Sequence, residues 1–238
     1  LVAPRQAAEA EECNIKAAVG SFFYTKTPLY YHYGNGEKDD MQVTGVVLAG
    51  GQSSRMNFNK AFANIGGKSS LQIILDKFHK IFAETIIITN DPELYAGYTQ
   101  RIETDLFPRR GPVAGIHAGL YYASYDTVFV MGCDMPFIDT SLIAYLVDQL
   151  GKYQAAVPEI EGCLQPLAAV YSRSCLPVFE YHLQNDKLKL IRIIEEELDI
   201  RVVKEEELAQ FGQVKEIFLN VNDAAALQKA QQIARRLL

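Results

Sequence analysis

The stretch Val46-Val47-Leu48-Ala49-Gly50-Gly51-Gln52-Ser53-Ser54-Arg55-Met56 is followed four residues later by Lys60. An apolar run stops at two glycines, and a short polar loop then carries two cations. That is how a buried strand hands over to a phosphate-binding loop. Glycine lets the backbone approach a ligand closely because no Cβ intervenes. Backbone N–H groups, Arg55 and Lys60 then face a polyphosphate. The spacing matches neither G-x-x-x-x-G-K-[ST] nor G-x-G-x-x-G, so a different nucleotide-handling site is implied.

Working outward, apolar runs and helical periodicity alternate. Thr44–Ala49 reads as a strand, and Ser69–Phe82 as a helix through Leu71, Ile74, Leu75 and Phe78. Thr85–Thr89 and Thr127–Met131 are continuous apolar runs, as expected of parallel strands covered on both faces. Val113–Ala123 reads as a helix whose glycines weaken the pattern, and Ser141–Leu150 as a further helix. Ala155–Pro158 and Leu167–Tyr171 are strand-like, while Leu176–Leu183 and Leu188–Leu198 are helical. Ile217–Val221 is expected to be a last strand before a closing helix, Ala224–Leu238. This alternation predicts a mostly parallel sheet with helices on both faces. Residues 1–40 differ in character, and Met41 stands directly before the first convincing strand. They are expected to be an N-terminal extension, or to lie upstream of the native start, with 41–238 forming a single domain.

The chain has 238 residues and a net charge of −6. That length suits one α/β domain with an extension. The charge excludes an extended nucleic-acid surface, which needs a basic stripe. It does not exclude nucleotides. At about 4 Å and an effective dielectric near 20, one Lys–phosphate attraction is worth roughly 4 kcal/mol before desolvation, so local placement outweighs the overall sign. The four cysteines, Cys13, Cys133, Cys163 and Cys175, form no C-x-x-C pair and read as reduced thiols. No apolar run approaches a membrane-spanning length, and no signal peptide is recognisable. A cytoplasmic protein is expected, with neither nucleic-acid nor membrane partners.

In open α/β sheets, ligands bind beyond the carboxyl ends of the strands. Gly50-Gly51, Asn90-Asp91 and Asp134 all follow apolar runs. Asp134, in Gly132-Cys133-Asp134-Met135-Pro136, is placed either to hold Mg²⁺ against phosphate oxygens or to act as a turn or cap residue. Beside the glycine loop, the metal role is favoured. Gly111–Ile116 is a second glycine-rich turn, either a wall of the nucleotide pocket or an ordinary tight turn. Asp105 alone reads as a solvated loop charge. Asn220 and Asn222 are placed either to bond a second substrate or to cap the next helix. His32, His79, His117 and His182 lack partner motifs, Ser53 and Ser54 lack a base, and Glu195–Glu197 and Glu205–Glu207 read as solvated faces.

Taken together, these motifs from about Val43 to Ala230 resemble the molybdenum cofactor guanylyltransferases (the molybdopterin-guanine dinucleotide biosynthesis protein A family). The family's L-A-G-G-x-S-x-R-M-G-x-D-K is matched by Leu48–Lys60, G-P-L-A-G-I by Gly111–Ile116 and C-D-x-P by Cys133–Pro136. Q-P-L-x-A is matched by Gln165–Ala169 and N-x-N by Asn220–Asn222. The resemblance implies a Rossmann-like three-layer α/β/α nucleotidyltransferase fold with a mostly parallel central sheet. It places GTP on Leu48, Ala49, Gly50, Gly51 and Lys60, the guanosine end on Asn90 and Asp105, and both GTP and Mg²⁺ on Asp134. Arg55, Lys60 and Asp134 are the implied catalytic residues, and Gln165, Asn220 and Asn222 the implied acceptor contacts.

Two departures stand out. Asn57 replaces the usual glycine and Asn59 the usual aspartate. Asn enters the left-handed region more readily than most residues, whereas losing the charge at 59 is expected to weaken ordering of the loop and slow the reaction. The implied reaction is transfer of GMP from GTP to molybdenum-molybdopterin, with transient complexes with cofactor-delivery and acceptor proteins. The nearest rival, cytidylyl transfer to the same acceptor, is disfavoured because such relatives tend to show L-A-A-G and to lack the Gly111–Ile116 pattern. A sugar-1-phosphate nucleotidyltransferase fits the short length after Asp134 less well. A non-catalytic cofactor or nucleotide adaptor is supported mainly by Asn57 and Asn59, and opposed by Lys60 and Asp134.

Overall fold

The computed structural model describes residues 40–50 and 59–237. Residues 1–39, 51–58 and 238 lie outside the described part, so the expectations for the extension, for Gly51 and for Arg55 are not addressed by it.

In chain order the strands are β1 Met41–Leu48, β2 Asn64–Ile65, β3 Lys68–Ser69, β4 Phe82–Ile88, β5 Arg101–Glu103, β6 Thr127–Gly132, β7 Ala155–Ile160, β8 Cys163–Leu164, β9 Ala168–Ser172 and β10 Ile200–Lys204. The helices are α1 Ser70–Ile81, α2 Gly111–Tyr122, α3 Thr140–Leu150, α4 Leu176–Gln184, α5 Leu190–Glu197, α6 Glu205–Leu208, α7 Val214–Ile217 and α8 Ala224–Leu237. The main sheet runs β10-β7-β9-β6-β1-β4-β5, with β8 paired to β7. Strand β1 lies parallel between β4 and β6, and β9 is antiparallel to both its neighbours. The expected mostly parallel sheet is therefore present, with one reversed strand in its middle.

Side chains alternate across β1 with the period of a strand. Val43, Val47 and Ala49 join a core with Leu71, Ile74 and Phe78 of α1 and Leu142 and Leu146 of α3. Val46 and Leu48 join a second core with Val113 and Ile116 of α2, Phe179 of α4 and Ile193 of α5. These are the two helical layers. Helix α8 packs through Ala230, Ile233 and Ala234 against Ile65, Ile73, Phe137 and Val221.

The glycines that obscured α2 in the sequence are its packing face. A Cβ at Gly119 would stand 2.9 Å from Val46, and one at Gly115 would stand 3.2 Å from Leu48. The helix comes this close to β1 because those positions carry no side chain. A third glycine, Gly45 of β1, lies beneath Phe78 and Phe82, and a Cβ there would stand 2.4 Å from Phe82.

One expected strand is absent. Around Ile217–Val221 the burial falls on Val214, Ile217 and Phe218, the i, i+3, i+4 spacing of a helical turn, and Val214–Ile217 is α7. Val221 then donates its N–H to the Asp134 carbonyl at 2.8 Å and joins no sheet. Conversely, β5 and β10 form the edges of the sheet, short and carrying charged residues that mask them in the sequence.

Candidate active site

The carboxyl ends of β1, β4 and β6 open into a cleft of about 530 Å³. Its walls include Leu48, Ala49 and Gly50 from the end of β1, Lys60, Asn90 and Asp105, Gly111 and Gly115 of α2, and Asp134 after β6. Residues scattered over the sequence are gathered because each follows a strand ending at the same edge. Strand ends also hold each other in register: Ala49 N–H donates to Ile88 O at 2.9 Å, and Cys133 N–H to Leu48 O at 3.1 Å.

Lys60 begins a single 3₁₀ turn, Lys60–Phe62, and Asn59 caps it by accepting the Ala61 N–H at 3.0 Å. The Lys60 ammonium donates to the Asn222 side-chain oxygen and lies 3.7 Å from Asp134 Oδ2. Asn222 thus reaches Lys60 without itself lining the cleft, from an irregular segment ahead of α8 and not from a strand end as expected. The Asn220 carbonyl accepts the Asn222 N–H at 3.0 Å, and Asn220 does not line the cleft.

Asp134 is half-buried, its side chain 19% exposed. Burial raises its pKa, and Lys60 opposes that shift. The turn that carries it is held from α1. Ser70 Oγ donates to Cys133 O at 2.6 Å, and Lys77 Nζ to Pro136 O and Ile138 O at 2.7 and 2.8 Å. Burial lowers the Lys77 pKa to about 8 and pushes the Cys133 thiol up to about 12.

At the other wall, Asn90 Nδ2 donates to Asp105 Oδ2 at 2.8 Å. Asp105 is buried, not a solvated loop charge, and burial raises its pKa against the Asn90 hydrogen bond. Asp105 and the exposed Asn90 share the cleft wall with the apolar Leu48 and Ile88. Gly111–Ile116 is the start of α2, and Gly111, Pro112 and Gly115 line the cleft. Gln165 does not line it; the Gln165 side chain donates to Cys163 O at 3.1 Å, and the neighbouring Leu167 lines the cleft instead.

Arg109 is a contributor that the motifs do not mark. Arg109 lines the cleft from a left-handed backbone position, φ 60°. Its neighbour Arg110 pairs with Asp186. Asn59 uses both ends of its amide, since Nδ2 also donates to the Tyr95 hydroxyl at 3.0 Å; the loop it follows lies outside the described residues. The basic pair preceding Gly111-Pro112 was the available signal for Arg109, whereas nothing in the sequence joins Tyr95 to Asn59. His117 and His182 are buried away from the cleft, and Cys133, Cys163 and Cys175 are free thiols.

A cleft at the strand ends, with a lysine and a carboxylate beside a glycine-rich turn, can seat a nucleoside triphosphate. An NTP transferase needs such a cleft. The family model described as MobA-like NTP transferase domain matches residues 45–201. A molybdenum cofactor guanylyltransferase of Desulfosudis oleivorans is 35% identical over 191 residues, covering 79% of this chain and 94% of the relative. A probable molybdenum cofactor guanylyltransferase of Pelotomaculum thermopropionicum is 37% identical over 194 residues, covering 82% and 94%. The crystal structure of molybdopterin-guanine dinucleotide biosynthesis protein A from Archaeoglobus fulgidus superposes with a TM-score of 0.73 at 25% identity, covering 81% of this chain and 99% of that one. The chain belongs to the molybdenum cofactor guanylyltransferase family.

Proposed function

We propose that this protein transfers GMP from GTP to the terminal phosphate of molybdenum-bound molybdopterin, releasing pyrophosphate. The observation that carries the reading is the convergence of Lys60, paired with Asp134, and the Asn90–Asp105 pair in one cleft. Family membership supplies the substrate class.

In this reading an acceptor phosphate oxygen attacks the α-phosphorus of GTP in line. A new P–O bond forms, the bond from the α-phosphorus to the bridging oxygen breaks, and pyrophosphate leaves with the electron pair. The attacking phosphate is already an anion, so no general base is required, and rate comes from positioning and charge neutralisation. Lys60 exchanges its present partners for phosphate oxygens. Arg55, outside the described residues, is proposed for the same task from its place in the loop. Leu48, Ala49 and Gly50 line the cleft at the end of β1, and Gly51, outside the described residues, is proposed beside them from its place in the loop. The Asn90 amide and the Asp105 carboxylate suit the donor and acceptor edge of guanine. Asn222 orients Lys60 and faces the acceptor side.

The site also fits a divalent cation. Among the described residues no group of three or more metal-binding side chains stands ready, but Asp134 offers one carboxylate to the cleft. Magnesium binds through one or two carboxylates together with substrate phosphates. When bound it supplies charge neutralisation on the phosphates.

No described helix is long and apolar enough to cross a membrane. We infer a cytoplasmic enzyme that meets cofactor-delivery and acceptor proteins transiently, with residues 41–238 as its catalytic domain. The test is incubation with molybdopterin cofactor, Mg²⁺ and equal GTP and CTP, with products identified by mass, on the full chain and on protein starting at Met41. A guanine dinucleotide with matching pyrophosphate is expected from both. A cytosine product overturns the base assignment. No product, with a known guanylyltransferase active in parallel, overturns transfer in favour of an adaptor.

A further inference from the structure

Tyr95 is fully buried beside the cleft and comes from the Pro92–Tyr95 turn after β4. Its hydroxyl donates to Ala49 O at 2.7 Å and accepts from Asn59 Nδ2 at 3.0 Å. Its ring stacks on Phe62 of the turn that Lys60 begins, with centroids 5.4 Å apart. One side chain therefore fastens both flanks of the 51–58 segment, the end of β1 on one side and the Lys60 turn on the other.

The polarity of this chain of bonds is forced. A carbonyl only accepts, so the single hydroxyl proton is committed to Ala49 O. The group at position 59 faces a lone pair of that oxygen and must then donate. On its other side that group faces the Ala61 N–H, which only donates. An amide satisfies both demands. A carboxylate satisfies the second alone, and it would draw the Tyr95 proton away from Ala49 O. The other side-chain contact to that carbonyl is Thr89 Oγ1 at a long 3.4 Å.

We propose that Tyr95 and Asn59 are positioning residues for nucleotidyl transfer, a relay of fixed polarity that sets Lys60 against the Ala49 backbone at the phosphate end of the cleft. On this assignment Asn59 is not a weakened aspartate. It is the residue that the Tyr95 hydroxyl requires. The inference rests on the proposed placement of GTP phosphates at Lys60.

Capping alone and the relay rank substitutions differently. A helix cap favours Asp and Asn alike over Ala. The relay ranks Asn first, Ala second and Asp last, because Ala leaves the hydroxyl bonded to Ala49 whereas Asp reverses it. The experiment measures kcat and KM for GTP in guanylyl transfer for wild type, Asn59→Ala, Asn59→Asp, Tyr95→Phe, Lys60→Ala and the Tyr95→Phe pairs with each Asn59 variant. Thermal midpoints identify the folded variants. Asn59→Asp is expected to lose on the order of tenfold in kcat, more than Asn59→Ala, and in the Tyr95→Phe background the order reverses. Asn59→Asp at or above Asn59→Ala in the presence of Tyr95 overturns the relay, and needs no Tyr95 variant to fold. Loss of activity in Lys60→Ala without the Asn59 ordering overturns the relay alone. Wild-type activity in Lys60→Ala overturns the placement of phosphates at Lys60, and the relay with it.

Discussion

Gly132 is the last residue of β6, two positions before Asp134, and a methyl group added there tests the carboxylate's position directly. A Cβ on Gly132 would stand 2.8 Å from Asp134 Oδ1. Ordinary van der Waals contact begins at 3.4 Å, so the carboxylate oxygen must retreat by about 0.6 Å. Misplacement of 1 Å at a reacting centre costs about 100-fold, so Gly132→Ala is expected to lower kcat on the order of tenfold, about 1.4 kcal/mol of barrier. Stability should hardly change. The obstructing atom is the tip of a side chain, the next neighbour, Met135 Cε, is at 3.5 Å, and Gly→Ala at a compatible backbone angle lowers unfolded-chain entropy. The assay is pyrophosphate release under saturating GTP and acceptor, with a thermal melt on the same preparation. Gly115→Ala is the control, since it also lines the cleft but its Cβ meets only Leu48 carbons, at 3.2 Å. Wild-type kcat in folded Gly132→Ala would refute the claim that Asp134 must sit where it does. A large fall in melting temperature would show that backbone had moved instead.

Gly45→Ala should behave oppositely, leaving the cleft alone and straining the core. Its Cβ would lie 2.4 Å from Phe82 and 2.7 Å from Phe78, so a loss of about 1–3 kcal/mol is expected, seen as a melting point lower by about 2–4 °C per kcal/mol. Adding Phe82→Leu should recover much of it, and an unchanged melt of Gly45→Ala would contradict the packing. Alkaline stability reports Cys175, whose thiol burial pushes from 9.0 up to about 12. Between those values the unfolded chain has lost the proton and the native chain keeps it, so native stability falls as pH rises. Denaturant titrations from pH 8 to 11 should therefore decline less steeply above pH 9 for Cys175→Ala than for wild type, by about 1.4 kcal/mol per pH unit. Parallel declines would refute burial of that thiol in the form described.

Legibility in the sequence followed the strength of local signals. β1, β4 and β6 each carry an apolar run near the carboxyl end, Val46–Leu48, Ile86–Ile88 and Val128–Met131, as a strand covered on both faces does. Gly50, Asn90 and Asp134 could be placed from those runs and Lys60 from the loop that follows, and the structure brings all four to one cleft. Ile217–Val221 failed because an apolar run that short carries two periodicities, and Val214, just upstream, decides for a helical turn. Asp105 was misread because its partner Asn90 lies 15 residues away and burial is not a local property. The relay through Tyr95 was out of reach for the same reason, being written in hydrogen-bond polarity across 36 and 46 residues. Gln165 came from motif resemblance, which marks a neighbourhood and not which side chain reaches the cleft, and Asn220 was tied to a last strand that the structure lacks.

The bond between Lys60 and Asn222 spans 162 residues, and this has a consequence for how the protein is made. A ribosome adds about 5–20 residues per second, so the loop carrying Lys60 is synthesised many seconds before its partner. During that interval β1, α1, β4 and β6 can assemble, while Asp134 lacks Val221 across its carbonyl and Lys60 has no amide to hold it. The last fifth of the chain therefore acts as a latch on the first motif, and catalytic competence should arrive late, after the sheet itself is in place.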